Sequence, residues 1–182
     1  MTVTDTPLPG VQLVQPAVHR DDRGFFLETY HAQRYADSGV RTTFVQDNHS
    51  RSVQGTLRGL HMQVTTLQAK LVRVLAGEIF DVAVDARVGS PTFGRWFGAR
   101  LSDANHTQMF VPVGFAHGFA VLSTSADVEY KCSAFYDPSD EIVIRFDDPA
   151  IGVAWPATAP LLSARDAAAP LLKDVMHRLP RY

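Results

Sequence analysis

Short apolar runs separated by turn-forming residues are the feature that most constrains this fold. The clearest run is KLVRVLAGEIFDVAVDAR at residues 70–87, in which Val, Ile and Phe mostly alternate with small or polar residues. Such alternation is typical of a β-strand that buries one face. The Gly77-Glu78 break within the run predicts a hairpin. Similar runs continue as far as Phe146.

The turns between these runs indicate the fold class. Pairs such as Asp137-Pro138 and the stretch Val88-Gly89-Ser90-Pro91 are strong turn formers. Many short strands joined by close turns predict an antiparallel sandwich or barrel. Two helical segments are expected, at residues 27–39 and at 163–175, the second capped by Ser163 and interrupted by Pro170. We interpret residues 1–182 as a single all-β domain, a jelly-roll-like β-barrel with a few short terminal helices.

Composition and charge exclude several classes of function. The chain has 182 residues, which favours one domain, and a net charge of -2, which disfavours a nucleic-acid or membrane-surface binder. No apolar run approaches the ~20 residues that span a bilayer, and the N-terminus does not resemble a signal peptide. The single cysteine, Cys132, permits no intrachain disulfide and no cysteine-based zinc site. These features predict a protein of the reducing cytoplasm.

The stretch GTLRGLHMQ raises the question of function because it places His61 among apolar residues. A histidine there can be a packed core residue, a metal ligand or a proton-transfer group. Metal-binding jelly rolls commonly pair two histidines at a one-residue gap, and Gln63 occupies the second place here. The stretch PVGFAHGF adds His117, but one imidazole from each half gives too few ligands. A metal site is therefore not favoured.

An acid/base role for His61 requires partners. Arg58 lies between Leu57 and Gly59, where an exposed charge is unexpected, and arginine binds phosphate oxygens well. Lys70 opens the 70–87 run, and a lysine beside a ketone can stabilise an enolate. Tyr130 has the parity of its strand neighbours and can be an inward acid or a buried structural tyrosine. Asp166 can be a catalytic carboxylate or a first-turn helix carboxylate.

Taken together, eight segments resemble one family in the family's own order. They are DDRGFFLETY, FVQDNHSRS, GTLRGLHMQ, KLVRVLAGEIFDVAVDARVGSPTFGRW, VPVGFAHGFAVLS, EYKCSAFYDPSDE, IRFDDPAIGVAWP and LLSARDAAAPLL. The family is that of the dTDP-4-dehydrorhamnose 3,5-epimerases, and the resemblance runs from about residue 11 to about residue 174. It implies a cupin-like jelly roll, a homodimer, and catalysis without a metal or redox cofactor.

The resemblance also implies an activity in dTDP-L-rhamnose biosynthesis. The substrate would be dTDP-4-dehydro-6-deoxy-D-glucose, inverted at C3 and C5 to dTDP-4-dehydro-β-L-rhamnose. His61 matches the family's general base, Asp166 its paired carboxylate, Tyr130 the acid on the opposite face, and Lys70 the residue near the C4 oxygen. The positions that match nucleotide- or sugar-contacting residues are Arg23, Glu28, Gln46, Asn48, Arg58, His117, Tyr136 and Glu141.

One departure from the family pattern lies beside the predicted base. Met62 stands where an aromatic is usual, and Thr65-Thr66 replaces a Pro-Pro pair before Lys70. The alternative interpretations are a 3- or 5-mono-epimerase, or a ketoisomerase, of another dTDP-4-keto-deoxysugar. A nucleotide-sugar binder without catalysis is a further alternative. A binder alone would not need His61, Tyr130 and Asp166 together.

Overall fold

The structure is a computed structural model that describes residues 1–157 and 159–182. Within them the chain forms thirteen strands, three short α-helices and one 3-10 turn at Met176–Arg178. The strands are β1 (Thr2–Asp5), β2 (Gln12–Gln15), β3 (Val18–Asp21), β4 (Gly24–Leu27), β5 (Gln46–Val53), β6 (Leu57–Gln63), β7 (Lys70–Ala76), β8 (Glu78–Asp85), β9 (Trp96–Ser102), β10 (Gln108–Val111), β11 (Phe115–Val121), β12 (Ser125–Cys132) and β13 (Glu141–Val143). The helices are α1 (Ala32–Asp37), α2 (Ala164–Ala167) and α3 (Leu172–Val175).

Two antiparallel sheets make up most of the molecule. One has six strands in the order β1-β2-β10-β7-β12-β5, and the other has five in the order β13-β6-β11-β8-β9. Strands β3 and β4 form a separate two-stranded sheet. The predictions of an all-β chain and of short helices near residues 27–39 and 163–175 are confirmed. None of the helices in the described ranges has the length and hydropathy needed to cross a bilayer.

The chain changes sheets at Gly77, where the sequence predicts a hairpin. That prediction is wrong, because β7 pairs with β10 and β12 while β8 pairs with β9 and β11. Gly77 has φ +82°, and a Cβ there would lie 2.2 Å from the carbonyl oxygen of Ser125. The crossing therefore requires glycine. Alternation identifies the buried face of a strand but not its partner strand.

Three apolar clusters hold these layers together. The central cluster lies between the sheets and combines residues of the six-stranded sheet, such as Val72 and Val128, with Ile79 and Phe119 of the five-stranded sheet. Helix α3 and the segment after it cover the outer face of the five-stranded sheet through a second cluster, which includes Leu172, Val175 and Leu179. Helix α1 covers part of the six-stranded sheet through Tyr35 in a third. The site described next lies between the sheets, beside the central cluster.

Candidate active site

A cavity of about 670 Å³ collects most of the predicted site residues. Its walls come from both sheets and from the segment around α2. Seven of the twelve predicted residues line it: Asn48, Arg58, His61, Tyr130, Tyr136, Glu141 and Asp166. Residues far apart in the sequence are therefore assembled around one space large enough for a ligand.

His61 and Asp166 form a carboxylate–imidazole pair on one wall. His61 Nε2 lies 2.6 Å from Asp166 Oδ1, and the Ser163 hydroxyl donates to Asp166 Oδ2 at 2.7 Å. Ser163 also caps α2 by accepting from the Asp166 backbone N–H at 3.0 Å. Both carboxylate oxygens thus take part in hydrogen bonds, and because Nε2 is directed at Asp166, Nδ1 is the ring nitrogen that can act as a base.

The charge state of Asp166 follows from two opposing effects. Burial raises the pKa of this carboxyl, but hydrogen bonds from His61 and Ser163 outweigh it, so the net pKa lies below its ordinary value. Asp166 therefore stays ionised through the neutral range. An ionised carboxylate stabilises the imidazolium that forms when His61 accepts a proton.

The local path of β6 depends on a close approach to β11. Gly59 has φ +125°, and a Cβ there would lie 2.6 Å from the Cα of Gly118. With glycine at both positions the strands approach closely, and the pairing shifts register between His117 and Phe119. His61 and His117 are direct partners across this pair of strands. The two imidazoles are therefore neighbours on one face of the sheet.

The six-stranded sheet supplies Tyr130 and Lys70 from the opposite side. Tyr130 lines the cavity, and the Lys70 Nζ lies 5.7 Å from the centroid of its ring. Burial raises the pKa of the Tyr130 phenol, which keeps it protonated. Burial lowers the pKa of the Lys70 ammonium, and nearby negative charges, including that of Asp81, oppose this effect. The predicted inward direction of Tyr130 is confirmed, since Val128 and Cys132 on the same face are fully buried.

Charged and aromatic groups gather elsewhere on the cavity wall. Arg165 pairs with Glu141, and the Tyr136 hydroxyl donates to the same carboxylate at 3.2 Å. The Arg58 Nε donates to Ser52 at 3.0 Å. Arg165 was not among the predicted residues. The only signal for it in the sequence is its position beside Asp166, because an arginine in a short polar helix ordinarily faces solvent.

Two further predicted residues, His117 and Gln46, are not among those that line the cavity. His117 is buried and its Nε2 lies 2.7 Å from Asp81 Oδ1. The Gln46 amide accepts from the Tyr136 backbone N–H at 2.9 Å and donates to Asn48 at 3.0 Å. Gln46 thus bonds two residues that line the cavity, whereas His117 lies opposite His61 across β6 and β11.

Arg23 and Glu28 lie away from the cavity. Arg23 is 90% exposed and pairs with Asp21 in the turn between β3 and β4. Glu28 pairs with Arg34 of α1. The family resemblance predicts both as ligand contacts, but neither Arg23 nor Glu28, which immediately follows β4, lines the cavity of its own chain.

The departure beside His61 has a structural explanation. Met62 is 4% exposed and packs in the cluster behind the five-stranded sheet with residues such as Ile142. Asp140 accepts hydrogen bonds from the backbone N–H groups of Thr65 and Thr66 at 2.9 and 2.7 Å. Met62 therefore faces the core, and the Thr65-Thr66 loop is held without the two prolines.

Within the described ranges, no three His, Cys, Asp or Glu side chains converge in a way that could hold a metal ion. What the arrangement offers is a base paired with a carboxylate, a phenol on the facing wall, and cations. That set suits proton transfer on an anionic ligand.

Comparison with known proteins decides the family. A family profile described as dTDP-4-dehydrorhamnose 3,5-epimerase matches residues 5–174. The chain belongs to the dTDP-4-dehydrorhamnose 3,5-epimerase family. The epimerase of Neisseria gonorrhoeae is 54% identical over 169 residues, which cover 92% of this chain and 52% of that one. The chain thus spans about half the length of this relative. The epimerase of Salmonella typhimurium is 50% identical over 179 residues, covering 97% of this chain and 98% of the relative.

A solved epimerase structure extends the likeness to three dimensions. The dTDP-6-deoxy-D-glucose-3,5-epimerase of Legionella pneumophila, in complex with dTDP-4-keto-L-rhamnose, superposes with a TM-score of 0.97 at 49% identity. The match covers 100% of this chain and 98% of that one. The predicted epimerase family, isomerase class and cupin-like jelly roll are confirmed.

Proposed function

We propose that this chain inverts C3 and C5 of dTDP-4-dehydro-6-deoxy-D-glucose, giving dTDP-4-dehydro-β-L-rhamnose for dTDP-L-rhamnose biosynthesis. The observation that carries the proposal is that His61, paired with Asp166 of α2, and Tyr130 lie on different sheets around one cavity. Inversion of a carbon requires a base on one side of the sugar ring and an acid on the other.

The proposed reaction is a proton transfer through an enolate. The C4 ketone acidifies the hydrogens on C3 and C5, so that His61 removes one as a proton and becomes an imidazolium. The electron pair of the broken C–H bond passes to the C4 oxygen, where the Lys70 ammonium stabilises it. The enolate electron pair then returns to the carbon as Tyr130 donates its proton from the opposite face. The His61 imidazolium afterwards loses its proton to solvent, and the Tyr130 phenolate takes one from solvent. The same sequence at the second carbon completes the reaction.

Residues of the cavity wall hold the nucleotide in this proposal. Arg58 and Arg165 neutralise the diphosphate, since guanidinium groups bind phosphate oxygens in pairs. The Tyr136 ring stacks on the thymine base, and Asn48 and Glu141 contact the sugar portions. His117 and Gln46 belong to the binding set as supports of these groups.

A homodimer completes the proposed site. Arg23 and Glu28 match substrate-contacting positions of the family but lie off the cavity of their own chain, so we propose that a second copy supplies them. Phe25 and Phe26, on the same two-stranded sheet, are 56% and 71% exposed, which fits a surface covered by a partner. We also propose a cytoplasmic location, since the one cysteine, Cys132, is a buried free thiol.

Subunit mixing tests the shared site. Arg23→Ala and His61→Ala homodimers, each inactive, are denatured together and refolded. If each site uses Arg23 of the partner, the mixed dimer has one intact site and activity returns. If Arg23 acts in its own subunit, every site carries a defect and no activity returns.

Solvent exchange tests the activity itself. We expect deuterium to enter both C3 and C5 of the substrate in D2O without added metal, as followed by NMR. Exchange at one carbon alone would assign a mono-epimerase. Stabilisation by dTDP without any exchange would assign a binder. Tyr130→Phe is expected to impair completed inversion more than the first proton removal.

A further inference from the structure

We propose that Gln63 is a positioning residue for the nucleotide base, fixing the backbone on both sides of Tyr136 so that the ring of Tyr136 covers the base. The inference rests on the proposed function, because it concerns how the same site recognises its nucleotide. Gln63 is the last residue of β6, two residues beyond His61.

The Gln63 amide is fully engaged with backbone groups. Its Nε2 donates to the carbonyl oxygens of Thr66 at 2.9 Å and Phe135 at 3.3 Å, and its Oε1 accepts from the Asp137 N–H at 2.8 Å. The side chain is 4% exposed. It therefore binds the residue before Tyr136 and the residue after it, from a buried position on the strand that carries the proposed base.

Tyr136 itself is held at two more points. Its backbone N–H donates to Gln46, and its hydroxyl donates to Glu141. Yet the side chain is 48% exposed and lines the cavity, so much of the ring remains available for contact. A large flat side chain with a fixed backbone and a free surface is suited to stack on a planar base.

Fixing this segment before the ligand arrives reduces the entropy lost on binding. Without Gln63, the Phe135 carbonyl and the Asp137 N–H would lose their partner, and the segment would sample other conformations. The affinity should therefore decrease for ligands that have a base and stay the same for ligands that have only phosphates. The rate of proton transfer at His61 should not change.

Gln68 provides a matched control within the same loop. Its Nε2 donates to the Ala134 carbonyl at 2.7 Å, so it joins the same two loops but does not touch the residues on either side of Tyr136. If general loop stability governed affinity, Gln68→Met and Gln63→Met would have similar effects. If Gln63 positions Tyr136, only Gln63→Met should matter.

The test compares dTDP with inorganic pyrophosphate by calorimetry. We expect Gln63→Met to weaken dTDP binding at least tenfold and to change pyrophosphate binding and kcat less than threefold, with Gln68→Met close to the wild type. In a Tyr136→Ala background, Gln63→Met should add no further loss. Equal weakening of both ligands, equal effects of the two glutamine variants, or additive losses in the double variant would each overturn the inference.

Two further outcomes separate this inference from the proposed function. A wild-type protein that does not bind dTDP would refute the function, whereas a wild type that binds while Gln63→Met binds equally well would refute only the positioning role. If Gln63→Met does not fold, Gln63→Glu replaces it, because Glu retains an acceptor for the Asp137 N–H and loses the two donors. A smaller, base-dependent loss of affinity is then expected, and an unchanged affinity would overturn the inference.

Discussion

Two carboxylate–imidazole pairs lie side by side on the five-stranded sheet, and they differ in what surrounds them. His61 pairs with Asp166 at 2.6 Å and His117 pairs with Asp81 at 2.7 Å. The His61 side chain is 27% exposed and lines the cavity, whereas that of His117 is 6% exposed. Two hydrogen bonds of similar length thus lie in different surroundings, and of the two histidines only His61 has the access to a ligand that the proposed general base needs.

The two carboxylates differ as well. Asp166 comes from a helix 105 residues away from His61 along the chain, and both of its oxygens accept side-chain hydrogen bonds. Asp81 lies on β8, next to β11, and within the described residues its Oδ2 has no hydrogen-bond partner. Asp166 is therefore fixed for one orientation of His61, while Asp81 retains a buried negative charge that also acts on Lys70.

The largest effect should follow from loss of the base. His61→Ala removes the group that accepts the substrate proton, and we expect exchange at C3 and C5 to fall by about 10³- to 10⁴-fold. The fold-loss of exchange in His117→Ala should be at most about a tenth of the loss in His61→Ala, since His117→Ala removes only a supporting group. Deuterium exchange measured by NMR at saturating substrate compares the two. A larger loss for His117→Ala would reverse the roles assigned to the pairs.

The second effect concerns the orientation of the base. Asp166→Asn retains the shape of the carboxylate but removes the charge that stabilises the His61 imidazolium, so exchange should fall about 10²-fold. The fold should survive, because Ser163 still caps α2 by accepting from the backbone N–H. Exchange and far-UV circular dichroism measured together check this. If the exchange rate of Asp166→Asn equalled that of the wild type, His61 would work without a charged partner.

The differences between the two pairs show how much of the site could be predicted from the sequence. The apolar runs predicted the strands that carry His117 and Tyr130, because alternation reports which face of a strand is buried. It did not predict their neighbours, as the wrong hairpin at Gly77 shows, because partner choice depends on contacts distant in sequence. The pairing of His61 with Asp166 came from family resemblance, and the His117–Asp81 pair was not predicted at all.

The residues of the cavity wall were also predicted only in part. Arg165 was missed because an arginine on a short polar helix gives no periodic signal. Arg23 and Glu28 were expected at the site, but they flank the strand β4 and do not line the cavity of their own chain. The only sign of the proposed interface between copies that a single sequence can carry is an exposed apolar residue such as Phe26, and such residues also occur singly on ordinary surfaces.

A smaller effect is expected from the second pair, through charge. Asp81→Asn retains an acceptor for His117 but removes a negative charge that raises the pKa of Lys70 against the effect of burial. The pKa of Lys70 should therefore fall further, and the basic limb of the kcat profile should move to lower pH, with about tenfold loss at most near neutrality. The other groups that act on Lys70 are Cys132 and Glu141.

The pH profile of kcat between pH 6 and pH 10 measures the shift of the basic limb in Asp81→Asn. Lys70→Met supplies the control, because Asp81→Asn in that background should leave the basic limb where Lys70→Met alone places it. A basic limb that does not move in Asp81→Asn would separate the second pair from the chemistry and leave it a structural role only.

The smallest effect should come from Ser163, which supports the first pair without touching His61. Its hydroxyl lowers the pKa of Asp166, so Ser163→Ala should move the folded-state pKa up toward the unfolded value of about 3.9. A carboxyl with a depressed folded pKa stabilises the fold above its unfolded pKa, and this contribution is lost as pH falls through the folded value. Ser163→Ala should therefore reduce the free energy of unfolding at pH 7 by about 1 kcal/mol, including the lost cap.

Urea unfolding should show a smaller difference in the free energy of unfolding between the wild type and Ser163→Ala at pH 3 than at pH 7, because Asp166 becomes protonated as the pH falls. Exchange in Ser163→Ala at pH 7 should fall less than fivefold. Ser90→Ala is the matched control, because the Ser90 hydroxyl donates to Asp85 at 2.6 Å in a network away from the cavity. Burial raises the pKa of Asp85, but hydrogen bonds from Arg87, Ser90 and Thr92 bring it to about 2. Ser90→Ala should thus lower stability at pH 7 by a similar route and leave exchange unchanged. If both variants slowed exchange equally, the effect of Ser163 would come from general stability rather than from the orientation of Asp166 toward His61.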